Sequence, residues 1–176
     1  PTHSDFALGL ADVDVRYGLP TWPDMTVQLV FEERVLPLAS PDFIERNRMR
    51  DPDELLQVPL IQSTVSIVQW NDWFGSRGLS HHPERFALRF DRASLSLDAA
   101  VQGLGVALES ATIAQGHLEA DRLRPVFDRE WSVPVRGHYL VYPPRHGKRP
   151  EVVQFVEWLG AQAGQAGISP VTRAAG

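Results

Sequence analysis

The residues of this chain with the most chemistry in them sit in short groups where an apolar run gives way to a polar one: Arg16-Tyr17-Gly18, Ser63-Thr64, Ser94 and Leu108-Glu109-Ser110. Hydroxyls and free backbone N–H groups at strand ends and helix starts can hold a small anion, and in open α/β sheets such ends face the ligand crevice. Each group also has a plain structural reading, with the serines and Thr64 as caps and Arg16 in a surface ion pair. Ser110 beside Glu109, with His138 downstream, has the side chains of a hydrolase triad. The spacing does not demand one, and a serine capping a helix that starts at Ala111 accounts for Ser110 more simply.

Other chemistry is missing from the sequence. There is no G-x-S-x-G elbow, no H-E-x-x-H and no P-loop. Gly103-Leu104-Gly105 lacks the third glycine of the dinucleotide fingerprint, and it follows a predicted helix and precedes a strand, the reverse of the order that aims a helix N-terminus at a pyrophosphate. His81-His82 lies in a polar loop, where two neighbours rarely converge on one metal. No cofactor, no metal and no catalytic residue is expected, and the chain reads as a non-enzyme.

The elements that must position the polar groups are organised around Ser94–Ser110. Ser94 is expected to cap a largely buried helix rich in Leu95, Leu97, Ala99, Ala100 and Val101, with Gly103 and Gly105 turning the chain into an interior strand at Val106–Leu108. Upstream, Val13–Arg16 reads as a strand, and Val27–Ala39 as one long or two consecutive strands broken near Glu32-Glu33 and at Pro37. A helix follows Ser40-Pro41, a brief helical turn covers Asp51–Leu56, and Val58–Ile61 is a strand. Ile67, Trp70, Trp73 and Phe74 predict a helix over Val65–Ser76, and Phe86–Phe90 a strand. Beyond Ser110, helices are expected at Ala111–Leu118 and Pro150–Ala163, strands at Leu123–Phe127 and Tyr139–Tyr142, and a frayed tail over 164–176. This alternation argues an α/β fold with a mostly parallel sheet.

With 176 residues and 43% hydrophobic content, the chain can bury one or two compact lobes. Lysine plus arginine is 17 against 22 acids, a net charge of -5, so the surface as a whole repels nucleic acid. Cysteine is absent, which excludes disulfides and thiolate metal sites and suits the cytoplasm. No apolar run approaches the ~20 residues that span a bilayer, and no membrane role is expected. The opening strand has no partner before it, which suggests a fragment.

Read in order, several phrases carry a family resemblance. They are DVDVRYG (Asp12–Gly18) with TWPDM after it, LPLASPDF (Leu36–Phe43), PLIQS (Pro59–Ser63), W-x-x-W-F (Trp70–Phe74), FDRASLSLDAAVQGLGVAL (Phe90–Leu108), DRLRPVF (Asp121–Phe127), YLVYPP (Tyr139–Pro144) and PEVVQFVEWL (Pro150–Leu159). Over about Asp5 to Leu159 the chain resembles the effector-binding domain of a LysR-type transcriptional regulator, and its WP loop resembles the branch with glycine-cleavage and β-lactamase regulators. The resemblance implies two Rossmann-like lobes of the periplasmic-binding-protein type with a small-molecule effector between them. The first lobe, incomplete at its start, would comprise residues 1–39 and 136–163, and the second residues 40–135. The helix-turn-helix, the linker helix and the first strand-helix-strand of lobe one are missing from this stretch, so DNA would be met only through that absent region.

The family pocket carries over to Tyr17, Gly18, Ser63, Thr64 and Leu108 to Ser110, coinciding with the polar groups above; Arg16 and Ser94 complete the candidate set. A small amphoteric or anionic metabolite suits this lining, because Glu109 disfavours a pure anion. The apolar helix after Ser94 and the family habit together imply a homodimer or tetramer. The rival reading is a solute-binding protein of a transporter.

Overall fold

In a computed structural model of the protein, residue 6, residues 9–79, residue 83 and residues 85–165 are described. His81, His82 and the tail from residue 166 lie outside them. The chain divides into two compact units, one of residues up to Glu33 together with those from Arg136 onward, the other Arg34–Val135. Two strands run through the division: β2 (Thr26–Ala39) and β7 (Val133–Tyr142).

The second unit carries the wider part of the sheet. Its strands are the end of β2, then β3 (Leu60–Ser63), β4 (Leu88–Phe90), β5 (Val106–Ser110) and the short β6 (Arg124–Pro125). They lie side by side as β6-β2-β5-β3-β4. β3 runs parallel to β4, with Ile61 opposite Leu88 and Ser63 opposite Phe90, and parallel to β5, with Leu60 opposite Val106. β2 lies antiparallel to β5, Val35 opposite Ser110 and Leu38 opposite Ala107. The sheet is therefore mixed rather than mostly parallel. β2 brings the chain into this unit without a crossover helix before it, and only such a crossover forces a strand into the parallel sense.

Strand alternation sends side chains to two cores. Val35, Ala39, Leu60, Val106 and Leu108 join Phe43, Leu55, Trp70, Trp73 and Phe74 on one face. Leu36, Leu38, Ile61 and Ala107 meet Leu97, Ala99 and Ala100 on the other. Both faces are covered, which is why β3 opens on Leu60-Ile61 and β5 on Val106–Leu108 without polar alternation. On the first face stands α2 (Trp70–Ser76), preceded in the chain by α1 (Pro41–Asn47) and a 3-10 turn at Pro52–Gln57. On the second stands α3 (Ala93–Val101), and α4 is Gln115–Glu119.

Several expected boundaries move, each for a local reason. α2 starts at Trp70 rather than Val65, because the Gln69 side chain is bonded to Gln62 and to the Ser66 carbonyl, while its backbone N–H donates to Asp72 Oδ2 at 2.9 Å. These bonds hold 65–69 out of the helix. α3 begins two residues earlier than expected, with Arg92 at the N-cap, so Ser94 lies inside the first turn and is not its cap. The helix expected from Ala111 forms only at Gln115, after a turn through 111–114. β2 is one continuous strand; Pro37, which has no N–H to give, uses its carbonyl to accept the Val126 N–H at 3.0 Å. Gly103, with φ +70, supplies the left-handed residue that ends α3.

The first unit orders its strands β1-β7-β2, where β1 (Asp14–Tyr17) pairs antiparallel with β7, Asp14 opposite Val141 and Tyr17 opposite His138. The helix α5 (Pro150–Gln165) packs Val152, Val156 and Leu159 against Val13, Val30, Leu140 and Tyr142. It runs two residues further than the expected Ala163. The strand expected at Tyr139–Tyr142 is the last part of β7, which starts at Val133.

Candidate ligand site

In the second unit β4, β3 and β5 run parallel, so their C-terminal ends come to the same edge of the sheet. Ser63 and Thr64 stand at the end of β3, Ser110 at the end of β5, and α3 opens two residues after β4. Ser63, Thr64, Glu109, Ser110 and the start of α3 thus lie on neighbouring elements.

The hydroxyls there differ in what they have left to offer. Thr64 is exposed; its backbone N–H and its Oγ1 both donate to the Phe90 carbonyl, at 2.8 and 3.1 Å. With its proton committed, the Thr64 hydroxyl faces other groups as an acceptor. Ser63 is 1% exposed and its Oγ has no hydrogen-bond partner. Ser96, in the first turn of α3, is 0% exposed and is also without one. Both keep a proton to donate. Ser96 was not singled out in the sequence, where it reads as one more small residue on an apolar helix; its place on the sheet-facing side beside Leu97, Ala99 and Ala100 is the signal that marks it.

The remaining candidates are placed as follows. Ser110 is buried, and its Oγ accepts the N–H groups of Thr112 and Ile113 at 3.1 and 3.3 Å, closing the turn at 111–114 rather than capping a helix from Ala111, since α4 starts only at Gln115. Glu109 is 2% exposed. Leu108 belongs to the core beside Trp73 and Phe74, so its side chain packs inward. Ser94 is exposed. In the first unit, Arg16 Nε donates to Asp14 Oδ2 at 2.9 Å and its guanidinium lies 5.4 Å from the Trp22 ring, which is the local ion pair of the plain reading. The Gly18 N–H donates to the Gly137 carbonyl at 2.9 Å. Tyr17 is 38% exposed, with its ring 4.9 Å from that of His138. His138 in turn stacks on Phe31 and has Nε2 3.3 Å from Glu33 Oε2. His138 thus works with Glu33 and Ser110 with its own turn. Among the described residues no three acidic, histidine or cysteine side chains gather as a metal site.

Residues 5–164 match the sequence model of the LysR substrate binding domain. The chain belongs to this family. Among its relatives, a HTH-type transcriptional regulator of Sinorhizobium fredii, y4mQ, is 39% identical over 159 residues, covering 89% of this chain and 52% of that protein. The HTH-type regulator PerR of Escherichia coli is 35% identical over 150 residues, 84% of this chain and 49% of its own length. The LysR-family chain thus spans about half the length of these curated relatives. Among solved structures, the effector domain of the transcriptional regulator AmpR of Pseudomonas aeruginosa superposes with a TM-score of 0.76 at 27% identity, covering 92% of this chain and 77% of that one. The regulatory domain of CrgA from Neisseria meningitidis, at 14% identity and a TM-score of 0.69, shares the fold. The architecture is the α/β one of LysR effector-binding domains, of the periplasmic-binding-protein type, as the order of the sequence motifs implied. No helix among the described residues is long and apolar enough to cross a membrane.

Proposed function

We propose that this chain is the ligand-sensing domain of a LysR-type transcriptional regulator, binding a small amphoteric or anionic metabolite at the strand ends of the second unit. The observation that carries this reading is the pair of buried, partnerless hydroxyls of Ser63 and Ser96 where β3 ends and α3 begins. A ligand carboxylate would accept from both and from the first-turn N–H groups of α3, while an ammonium or amide group would donate to Thr64 Oγ1. Buried polar groups without partners cost free energy in the empty protein, which gives a matching ligand something to recover.

The relatives support the wider assignment. They are transcriptional regulators, not transport proteins, and the solved neighbours are effector or regulatory domains. In this reading the protein is a cytoplasmic non-enzyme, and DNA is met by a helix-turn-helix elsewhere in the regulator, since a chain of net charge -5 is a poor partner for phosphates. Self-association as a homodimer or tetramer would use α3, where Leu95 and, just beyond, Leu104 are 43% and 52% exposed.

The test is isothermal calorimetry against amino acids and small carboxylic acids, with Ser63→Ala and Ser96→Ala beside the wild type. Tight binding of one of these, weakened in both variants, is the expected result. A best ligand that is purely hydrophobic, or one bound equally by all three proteins, overturns the assignment.

A further inference from the structure

Among the described residues Arg46 reaches a backbone carbonyl, Arg89 lies over the Phe86 ring, and four arginines are matched with acids: Arg16 with Asp14, Arg124 with Asp121, Arg136 with Glu32 and Arg149 with Asp12. Arg34 and Arg77 are not. Both belong to the second unit, and both reach one acceptor, the carbonyl of buried Ser132, from Arg77 Nη2 at 2.7 Å and from Arg34 Nη2 at 3.3 Å. Arg34 Nε also donates to Ser132 Oγ at 2.6 Å. No carboxylate among the described residues lies within ion-pairing distance of either guanidinium. Arg77 Nε is buried with no acceptor at all. Asp128 and Glu130, exposed on the adjoining turn, pair with neither.

The carbonyl on which they converge is held firmly. Ser132 Oγ donates to the Arg129 carbonyl at 2.6 Å, and Trp73 Nε1 donates to the Trp131 carbonyl at 2.8 Å, tying the turn Arg129–Trp131 to the core. The Arg77 guanidinium lies 5.8 Å from the Trp131 ring centre. Two cations drawn to one neutral oxygen repel each other, and one carbonyl cannot satisfy the N–H donors of two planar forks. In a chain of net charge -5 with acids to spare, this arrangement lacks an anion.

We propose that Arg34 and Arg77 form a binding site for a phosphoryl group on the second unit. A phosphate monoester or inorganic phosphate carries nearly two charges and three acceptor oxygens, enough to bridge two guanidiniums, which a single carboxylate does less completely. The site uses none of the residues assigned to the effector and stands independently of that reading.

The experiment titrates the whole chain with inorganic phosphate at constant ionic strength, made up with sodium chloride, and follows tryptophan fluorescence, since Trp131 and Trp73 adjoin Arg77. Acetate is the second arm. A saturable change with phosphate is expected, weakened about tenfold or more in Arg77→Gln and Arg34→Gln, partly restored in Arg77→Lys, and unaffected by Arg46→Gln. A response that never saturates, that survives Arg77→Gln unchanged, or that acetate reproduces at the same concentration overturns the proposal. Should circular dichroism show either glutamine variant unfolded, the arginine Nε–H resonances of the wild type decide: phosphate shifts at Arg34 and Arg77 support the site, and shifts confined to other arginines overturn it.

Discussion

Gly105 and Pro59 approach so closely that a Cβ added to the glycine stands 2.4 Å from the Pro59 carbonyl oxygen, the same oxygen that accepts the Val106 N–H at 2.9 Å. That contact seats β5 beside β3. Gly105 also has φ +157, a conformation side chains rarely adopt. Gly105→Ala is therefore expected to destabilise the second unit by about 2–4 kcal/mol, as steric and backbone costs act together. Urea unfolding measures it, and a midpoint equal to that of the wild type would mean that the entry to β5 yields more easily than its packing indicates.

Trp70 is completely buried and its Nε1 donates to the Ile61 carbonyl at 2.9 Å. Trp70→Phe leaves that oxygen without its donor and a void where the indole stood. A loss of about 2–4 kcal/mol in unfolding free energy is expected, larger than for Trp158→Phe, since Trp158 is 55% exposed.

Glu54 accepts the backbone N–H groups of Arg50 and Asp51 at 2.6 and 3.0 Å. These bonds, Arg50 first and Asp51 second, hold its carboxyl below the ordinary glutamate range. A carboxylate whose folded value is depressed stabilises the fold above its unfolded value, and that contribution is lost as pH falls through the folded value. NMR titration of the Glu54 side chain should place its midpoint below that of a free glutamate, and Glu54→Gln should remove this part of the acid dependence of stability. Asp121 is lowered by its hydrogen bond with Arg124, so Arg124→Gln should raise the Asp121 midpoint in the same experiment.

Thr64→Val removes a hydroxyl that already spends its proton on Phe90. The loss to a bound ligand is expected to fall on the part that donates hydrogen bonds, about 1–3 kcal/mol of affinity, with the fold retained. Calorimetry with an amino acid and its deaminated analogue tests this: the variant should discriminate less between the two than the wild type does.

If α3 forms a contact between copies, Leu95→Asp should shift sedimentation towards the monomer, because a charge replaces a residue 43% exposed at the edge of the buried face. An unchanged sedimentation coefficient would move the contact to another surface.

Much of this fold was legible in the residues because the second unit obeys simple periodicities. Ile61 and Leu60 divide between the two cores as alternation requires, and Gly103 ends α3 where a left-handed residue was expected. What escaped was non-local. Gln69 breaks the helical period of Ile67 and Trp70 through bonds to Gln62, seven residues back on another element. The antiparallel sense of β2 depends on the route of the chain through the first unit, which no local pattern encodes. At the site, Ser63 and Ser110 look alike in sequence, yet Ser110 accepts two N–H groups of its own turn while the Ser63 hydroxyl has no partner. Arg34 and Arg77 are 43 positions apart and meet only through Ser132.

The interleaving of the two units sets an order of events during synthesis. Residues 34–135 are contiguous, so every strand, both cores and all the helices of the second unit are available once Val135 has left the ribosome. The first unit is split, and the pairing of β1 with β7 can form only once β7 arrives, more than a hundred residues later. Domains generally fold as units while the chain emerges. The second unit can thus be complete while β1 and the first half of β2 still wait for β7 and α5, and over that interval the edges that β7 will pair stay open to chaperones and proteases.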